Sequence, residues 1–184
     1  MKKLLTLCVF VLSSLTWALP VPVLAAKAYF IEHAQNQWGE PKDDKALVYI
    51  LRPATTWPTK MWAFADETLL GVTKSDSYVY AYVEPGEHVF WSKAENVNAI
   101  RISVEAGKTY YIQQHAQIGV WKMAVELEVL DEPEAKELLK QCHYLTFTEH
   151  AVNKSQKFVG KDYKEAETVA STFPSSRRGK TVTY

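Results

Sequence analysis

The sequence predicts a mainly β fold, an antiparallel β-sandwich of immunoglobulin or transthyretin type with one or two short C-terminal helices. The central half of the 184-residue chain consists of short β-rich runs separated by turn residues. Two of these runs alternate apolar and polar residues with a period of two, which is typical of strands with one buried and one solvated face. With 47% hydrophobic and 12% aromatic residues, the chain has enough apolar material to form a core.

Eight strands are predicted between residues 45 and 131. They cover residues 46–52, 61–65, 69–73, 78–83, 89–94, 99–105, 109–115 and 120–130. The apolar faces of the two clearest strands contain Ile100, Ile102 and Val104 in one, and Trp121, Met123, Val125, Leu127 and Val129 in the other. Long helical periods rarely interrupt this region, so parallel βαβ units are not expected.

The first 25 residues are predicted to be a cleavable signal peptide. Lys2 and Lys3 form a basic start, an apolar run over residues 4–19 follows, and cleavage is expected after Ala25. An uncleaved membrane anchor is the alternative, but the apolar run is shorter than the ~20 residues that a spanning helix needs. Cys8 lies too early in the run to be a lipidation site. We therefore expect a periplasmic or secreted protein with no transmembrane span after leader cleavage.

The rest of the chain divides into three parts by composition. We expect a polar lead-in at residues 26–44, a β-sandwich domain with a closing helix at 45–143, and a partly disordered C-terminal extension at 144–184. A second short helix is expected at 161–171. Without its leader the chain has 19 basic and 21 acidic residues, a net charge of −2. This near-neutral balance gives no electrostatic reason to expect nucleic acid as a partner.

The closing helix places the one cysteine that remains after leader cleavage. Asp131 is suited to cap a helix over residues 132–142, and Pro133 and Glu134 are suited to its first turn. The apolar stripe of this helix contains Ala135, Leu138, Leu139 and Cys142. We expect Cys142 to be buried and inert; the alternative is a reactive thiol or a disulfide between chains.

Motifs for metal, cofactor or covalent chemistry are not found in the sequence. The spacing of the five histidines is not that of a zinc site, and neither a nucleophile motif nor a glycine-rich phosphate loop occurs. We therefore expect no metal and no cofactor. Glu126 and Glu128 share one face of a predicted strand, which leaves a hydrolase with paired carboxylates as an alternative, although such side chains usually form a solvated face.

Four segments carry a resemblance to a known family. Residues 78–88, Tyr-Val-Tyr-Ala-Tyr-Val-Glu-Pro-Gly-Glu-His, resemble the strand–Pro-Gly–His hairpin of a bacterial envelope family known only as a domain of unknown function. Residues 45–53, 104–111 (Val-Glu-Ala-Gly-Lys-Thr-Tyr-Tyr) and 130–136 fit its first strand, its later hairpin and its final helix. The hairpin is also similar to that of PEGA-type surface modules. The resemblance implies an exported β-sandwich over about residues 45–142 and supplies no functional residues.

Aromatic residues of the predicted hairpin provide the candidate binding site. A four-residue loop at 84–87 would place Tyr80 opposite Trp91 and Tyr82 opposite Val89, on the face that also holds Lys93. Because the charge of Lys93 favours exposure, Tyr80, Tyr82 and Trp91 are expected to form a surface patch. Flat aromatic patches bind sugar rings or protein partners. The alternative is that the closing helix or the C-terminal segment covers these side chains as core.

Two classes of function follow from these observations. We expect a non-enzymatic module of the cell envelope that binds or scaffolds an unknown envelope protein or glycan. The alternative is an envelope hydrolase whose site is assembled only in three dimensions. A fold cannot distinguish the two, because function depends on the arrangement of particular side chains.

Overall fold

A computed structural model describes residues 28–56, 58–118 and 123–172. The predicted signal peptide, Trp121 and the end of the chain beyond residue 172 lie outside the described residues. Within them the strands are β1 (Phe30–Glu32), β2 (Ala46–Arg52), β3 (Met61–Ala65), β4 (Thr68–Thr73), β5 (Ser77–Val83), β6 (Gly86–Lys93), β7 (Val97–Val104), β8 (Thr109–Ile118), β9 (Met123–Leu130) and β10 (His143–Phe147). The helices are α1 (Glu132–Leu139), α2 (Glu149–Ser155) and α3 (Lys161–Thr172).

The strands form two facing sheets, which confirms the predicted β-sandwich. One sheet has the order β1-β10-β5-β2-β8-β9 and the other the order β4-β3-β6-β7. Most neighbouring strands are antiparallel, but β2 is parallel to β8 and β10 is parallel to β5. Parallel neighbours need a long crossover connection. Strands β3 to β7, which include the whole four-stranded sheet, form that connection between β2 and β8. In many folds a helix has this role.

The strand positions agree closely with those predicted from the sequence. Strands β2 and β3 have the predicted bounds, and most of the others differ from them by a few residues at one or both ends. The predicted alternation in β7 is confirmed, because Ile100 and Val104 are buried whereas Ser103 is exposed. In β9, Met123, Val125 and Leu127 are buried and Glu126 is exposed, as the period of two requires.

The main core lies between the two sheets. Its largest apolar side chains include Met61, Phe90, Tyr110, Ile112 and Leu145. On one side of this core a Cβ atom at Gly71 would lie 2.8 Å from both γ-carbons of Val79. Since a β-branched side chain in a buried strand has no room to move away, the close approach of β4 to β5 requires glycine at this position.

Both sheets are also covered on their outer faces. Strand β2 is buried along its whole length, because residues 33–44 and α1 cover the side of it that faces away from the core. The outer face of the four-stranded sheet lies under the C-terminal helices, where Ala151, Ala166 and Ala170 are buried against it. The molecule therefore consists of two sheets between two outer layers.

Residues that were predicted to form a C-terminal extension belong to the six-stranded sheet and to an outer layer. Strand β10 lies between β1 and β5 in the six-stranded sheet, and α3 packs on β6 and β7. The helix expected at 161–171 is found as α3. The structure has three helices in its described part, one more than the larger number predicted.

Two asparagines close the edge of the six-stranded sheet at β9. Asn96 donates from Nδ2 to the carbonyl oxygen of Val125 at 2.9 Å and accepts from the Val125 amide at 2.7 Å. Asn98 accepts from the Leu127 amide at 2.9 Å. These side chains take the place of a further strand, which keeps the edge from pairing with another chain.

Helix α1 begins as predicted but ends earlier. The carboxylate of Asp131 accepts from the amide of Glu134 at 3.0 Å, so the predicted cap is confirmed. The helix ends at Leu139 rather than at residue 142, and Cys142 lies in the following turn, its amide bonded to the carbonyl oxygen of Leu139 at 3.1 Å. Cys142 is nonetheless 2% exposed, so its predicted burial is confirmed.

We expect Cys142 to react slowly with thiol reagents in the native protein. Burial raises the pKa of its thiol from about 9 to about 12, with the charge of Asp76 as a smaller cause. Because the folded protein disfavours ionisation of this thiol, the contribution of Cys142 to the free energy of unfolding is complete below about pH 9. That contribution is lost as the pH rises toward 12. Cys142→Ser should lower the free energy of unfolding by about 1–3 kcal/mol.

Labelling with a chromogenic disulfide, followed at pH 8 with and without denaturant, measures the reactivity of Cys142. A Ser171→Cys variant provides the control, because position 171 is exposed on α3 and should be labelled quickly in the native state. Equally fast native labelling of Cys142 would contradict its burial.

Candidate binding surface

The structure separates the three residues of the predicted binding patch. Tyr80 and Tyr82 lie on β5 in the six-stranded sheet, whereas Trp91 lies on β6 in the four-stranded sheet. The predicted pairing of Tyr80 with Trp91 is therefore wrong: Tyr80 is opposite Tyr49 of β2, and Trp91 is opposite Ala99 of β7. The turn after β5 passes from one sheet to the other, so β5 and β6 do not form a hairpin.

Trp91 belongs to the core beneath α3. It is 1% exposed, its ring stacks on Phe64 at 4.1 Å between centroids, and its indole nitrogen donates to the carbonyl oxygen of Asp66 at 2.7 Å. Lys93 was expected to show that this face is exposed, but its ammonium lies 3.4 Å from the carboxylate of Asp162 on α3. The C-terminal segment thus covers this part of the predicted patch.

Tyr80 and Tyr82 instead belong to a continuous tyrosine face on the outside of the six-stranded sheet. The tyrosine face consists of Tyr49, Tyr78, Tyr80, Tyr82, Tyr111 and Tyr144. Strand register explains the cluster, since Tyr80, Tyr49 and Tyr111 are direct neighbours across β5, β2 and β8. Neighbouring rings of the face have centroids 5.2 to 6.3 Å apart, which is the range of favourable aromatic contact.

The lead-in segment crosses this face as an extended strap, residues 33–44. Three tyrosine hydroxyls bind its main chain: Tyr78 donates to the carbonyl oxygen of Gln37 at 2.9 Å, and Tyr82 donates to that of Glu40 at 2.8 Å. Tyr49 accepts from the amide of Gly39 at 2.8 Å. The strap is thus held by side chains of the sheet that contact its backbone.

Side chains of the strap also contact the body of the protein. The amide group of Asn36 donates to the carbonyl oxygen of Cys142 at 2.9 Å and accepts from the amide of Tyr144 at 3.0 Å. Trp38 stacks on Tyr78 with an interplanar angle of 5° and a centroid distance of 5.3 Å, and it remains 50% exposed. One face of the Trp38 ring is therefore buried against the tyrosine face while the rest of the side chain is open to solvent.

Gly39 allows the strap to lie this close to the sheet. A Cβ atom at this position would lie 2.7 Å from a methyl carbon of Leu47 and 3.1 Å from the ring of Tyr80. Leu47 is buried beneath the strap, so a Cβ atom at position 39 requires either the Leu47 methyl group or the strap to shift. We expect a residue larger than glycine to loosen the strap from the face.

The phenols of the face are neutral hydrogen-bonding groups at physiological pH. Burial raises the pKa of Tyr49 and of Tyr144 to about 12 and raises the pKa of Tyr78 as well. Burial also raises the pKa of Tyr111. These groups are therefore suited to donate and accept hydrogen bonds, and they are poorly suited to act as phenolate bases or nucleophiles.

The part of this surface that is open to solvent is an aromatic rim formed by Trp38, Tyr80 and Tyr82. Tyr80 and Tyr82 are half-buried, and the ammonium of Lys42 lies 3.9 Å from the centroid of the Tyr82 ring. Neither Trp38, Tyr49 nor Tyr144 was predicted from the sequence to belong to this surface. The period of two in Tyr78, Tyr80 and Tyr82 was the available signal, because it places all three on one face of β5.

A group of polar side chains lies on the same sheet, on β8 and β9. His115 binds Glu128 through Nε2 at 2.7 Å and contacts the amide of Gln113 through Nδ1 at 3.3 Å. Glu126 accepts from the side-chain amide of Gln117. Both ring nitrogens of His115 are engaged, which leaves neither to activate a nucleophile.

Nowhere in residues 28–56, 58–118 and 123–172 do three His, Cys, Asp or Glu side chains meet in an arrangement suited to a metal ion. Across the same part of the chain, every helix is too short or too polar to cross a lipid bilayer.

Part of the chain is similar to known proteins. An uncharacterized protein of Haemophilus influenzae is 27% identical over 110 residues, which cover 59% of this chain and 66% of that protein. The chain thus spans a little under two thirds of the length of this relative. Residues 42–126, from the end of the strap into β9, match the model of a family described as a protein of unknown function, DUF2846. Over the core strands, including most of the tyrosine face, the chain is therefore similar to this family.

Proposed function

We propose that the chain is an exported protein of the cell envelope, periplasmic or secreted, that acts as a non-enzymatic binding or scaffolding module. The observation that supports this function is the aromatic rim, in which Tyr80 and Tyr82 of the sheet and Trp38 of the strap present large ring surfaces. Such rings provide contact area at a low cost in conformational entropy, and they are frequent among the residues that dominate binding energies. Tyr80 and Tyr82 keep the role expected of them, and Trp38 replaces Trp91.

The surroundings of the rim support binding rather than core packing. Tyr80 packs on Tyr49 and Trp38 packs on Tyr78, and both supporting tyrosines are buried. The ring of Tyr80 is therefore held in one position on the sheet before a partner arrives. Lys42 and the ion pair of Lys45 with Glu84 add charged groups beside the rings. An apolar centre with a polar border is the usual composition of a protein-binding surface.

The alternative function is an envelope hydrolase, and the pairing of His115 with Glu128 is the observation that favours it. A carboxylate that orients a histidine is part of many hydrolytic sites. Here the second ring nitrogen faces Gln113 instead of a nucleophile, so the pair is better explained as part of a solvated sheet face. If a folded His115→Phe variant still restores the phenotype of a strain that lacks this protein, the result supports the binding function. Failure of the folded variant to restore that phenotype favours the hydrolase.

Site-specific photo-cross-linking in intact cells tests the proposed function. A benzophenone side chain at position 38 or 82 should form a discrete adduct with an envelope component. The same group at Glu165, which is exposed on α3 at the opposite side of the molecule, should not form that adduct. Absence of any adduct specific to positions 38 and 82 would refute binding at the rim.

Export predicts a defined mature N-terminus. Protein recovered from the envelope fraction should begin at Ala26, because the leader has its predicted cleavage point after Ala25. Intact-mass measurement determines this directly. A full-length chain in that fraction, or a lipid attached to Cys8, would contradict the proposed processing. The similarity to PEGA-type surface modules is part of the same proposal and would gain support from surface exposure of the mature protein.

A further inference from the structure

We infer that the tyrosine face is a binding site for an extended polypeptide, and that the strap is a built-in occupant which a partner's segment replaces. The partner's segment would have the chemistry of the strap itself: an extended stretch with a glycine next to an aromatic residue. This inference rests on the proposed function, and it specifies the class of partner and the way in which the site opens: Tyr80 and Tyr82 stay in the site, and an aromatic residue of the partner takes the place of Trp38.

The hydrogen bonds of the face are directed at backbone atoms. Tyr78 and Tyr82 donate to carbonyl oxygens, and Tyr49 accepts from an amide. Each of these groups is present in nearly every residue of any polypeptide, so the contacts do not depend on the side chains of the strap. Over strap residues 37–40 these hydroxyls meet carbonyl oxygens and an amide at the spacing of an extended peptide backbone.

The shape of the face adds a requirement for small residues. The space above Leu47 and Tyr80 excludes a Cβ atom at position 39, and the adjacent ring of Trp38 fills the position over Tyr78. An occupant therefore needs a glycine where the strap has Gly39 and gains contact area from an aromatic residue before it. This pair defines the selectivity of the site.

The strap is attached in a way that allows it to leave. Between His33 and Lys42 it belongs to neither sheet, and every residue at positions 34–44 except Gly39 is exposed. Its ends are fixed independently, because the amide of His33 bonds to Tyr144 and the carbonyl oxygen of Lys42 accepts from Gly107. Segments with few buried apolar contacts open at a lower free energy than the core. The strap can therefore lift from the face while β1 and β2 remain paired.

A peptide titration tests this inference on the full chain as recovered after export. The probe is a fluorescent peptide with the sequence of residues 33–44, His-Ala-Gln-Asn-Gln-Trp-Gly-Glu-Pro-Lys-Asp-Asp. In the Gly39→Ala variant the chain's own strap is displaced, so the peptide should bind about ten-fold or more tightly than to the unmodified protein. Replacing Tyr78 and Tyr82 with phenylalanine in that variant should weaken binding by about ten-fold, because two hydrogen bonds are lost.

The matched control is the same peptide with alanine in place of its glycine, which should not bind. Absence of peptide binding to a folded Gly39→Ala protein would overturn the inference, as would equal binding of the alanine peptide. If Gly39→Ala does not fold, Trp38→Ala is used in its place, because it loosens the strap without a steric clash. Absence of peptide binding to this variant, or equal binding of the alanine peptide, would likewise overturn the inference. Binding of soluble glycan oligomers to the rim in the absence of peptide binding would also overturn it. Cross-linking at position 38 would then still support the proposed function, so failure of the two claims can be told apart.

Discussion

Replacing Trp91 with alanine is expected to lower the free energy of unfolding by about 3–5 kcal/mol, the usual cost of truncating a buried tryptophan. Trp91 is almost completely buried beneath α3, stacks on Phe64 and donates to the main chain of Asp66. Its removal leaves a cavity between the four-stranded sheet and the C-terminal helix. Denaturant unfolding followed by circular dichroism measures the change.

Trp38→Ala is the matched control for this substitution. The two tryptophans both stack on an aromatic ring, but half of Trp38 is already exposed to solvent, so its loss should cost less than about 1.5 kcal/mol. A Trp91→Phe variant separates the contribution of the ring contact from that of the hydrogen bond to Asp66. An unchanged melting temperature for Trp91→Ala would show that α3 does not cover this residue.

Gln114→Ala is expected to destabilise the protein by about 2–4 kcal/mol, because it removes volume and also leaves polar partners unsatisfied. The Gln114 side chain is fully buried between the sheets. It donates to the hydroxyl of Ser92 at 2.7 Å and accepts from that of Thr73 at 2.5 Å. The side chain thus connects β8 of one sheet with β6 and β4 of the other. Thermal and denaturant unfolding of the variant provide the measurement.

Gln117→Ala provides the control on the same strand. Gln117 is exposed, so its truncation should change the free energy of unfolding by no more than about 0.5 kcal/mol. Adding Ser92→Ala to Gln114→Ala should cost less than the sum of the single effects, because the two side chains share one hydrogen bond. A loss below 1 kcal/mol for Gln114→Ala would contradict the buried network.

The strands could be predicted from the sequence because their periodicity is local. Alternation in β7 and β9 and the turn residues around β2 and β3 were sufficient to locate these elements. Strands β1 and β10 were missed, since each is short and polar in part, and they pair across more than one hundred residues of sequence, as in Ile31 with Thr146. Pairing at that separation depends on the assembled fold and has no local pattern.

The candidate site was predicted only in part, and the reason lies in the turn after β5. The Glu-Pro-Gly-Glu stretch at 84–87 suits a tight hairpin, but the same residues also suit a crossing between two sheets. Local sequence determines that the chain turns there, whereas the partner strands determine where it goes. Tyr80 and Tyr82 were therefore placed on the correct face of β5 together, and Trp91 was placed beside them wrongly. The strap over the face was undetectable, because a polar segment without periodicity resembles a linker.

Amide hydrogen exchange at Gly39 tests the central claim, that the strap is a separable occupant of the tyrosine face. The Gly39 amide donates to Tyr49, so its protection reports directly on attachment of the strap. We predict that this amide exchanges through a local opening, at a free energy well below that of the β2 amides. In Trp91→Ala, protection of the β2 amides should fall with global stability while that of Gly39 stays the same. Gly39 protection equal to that of β2, and falling with it in Trp91→Ala, would contradict the claim.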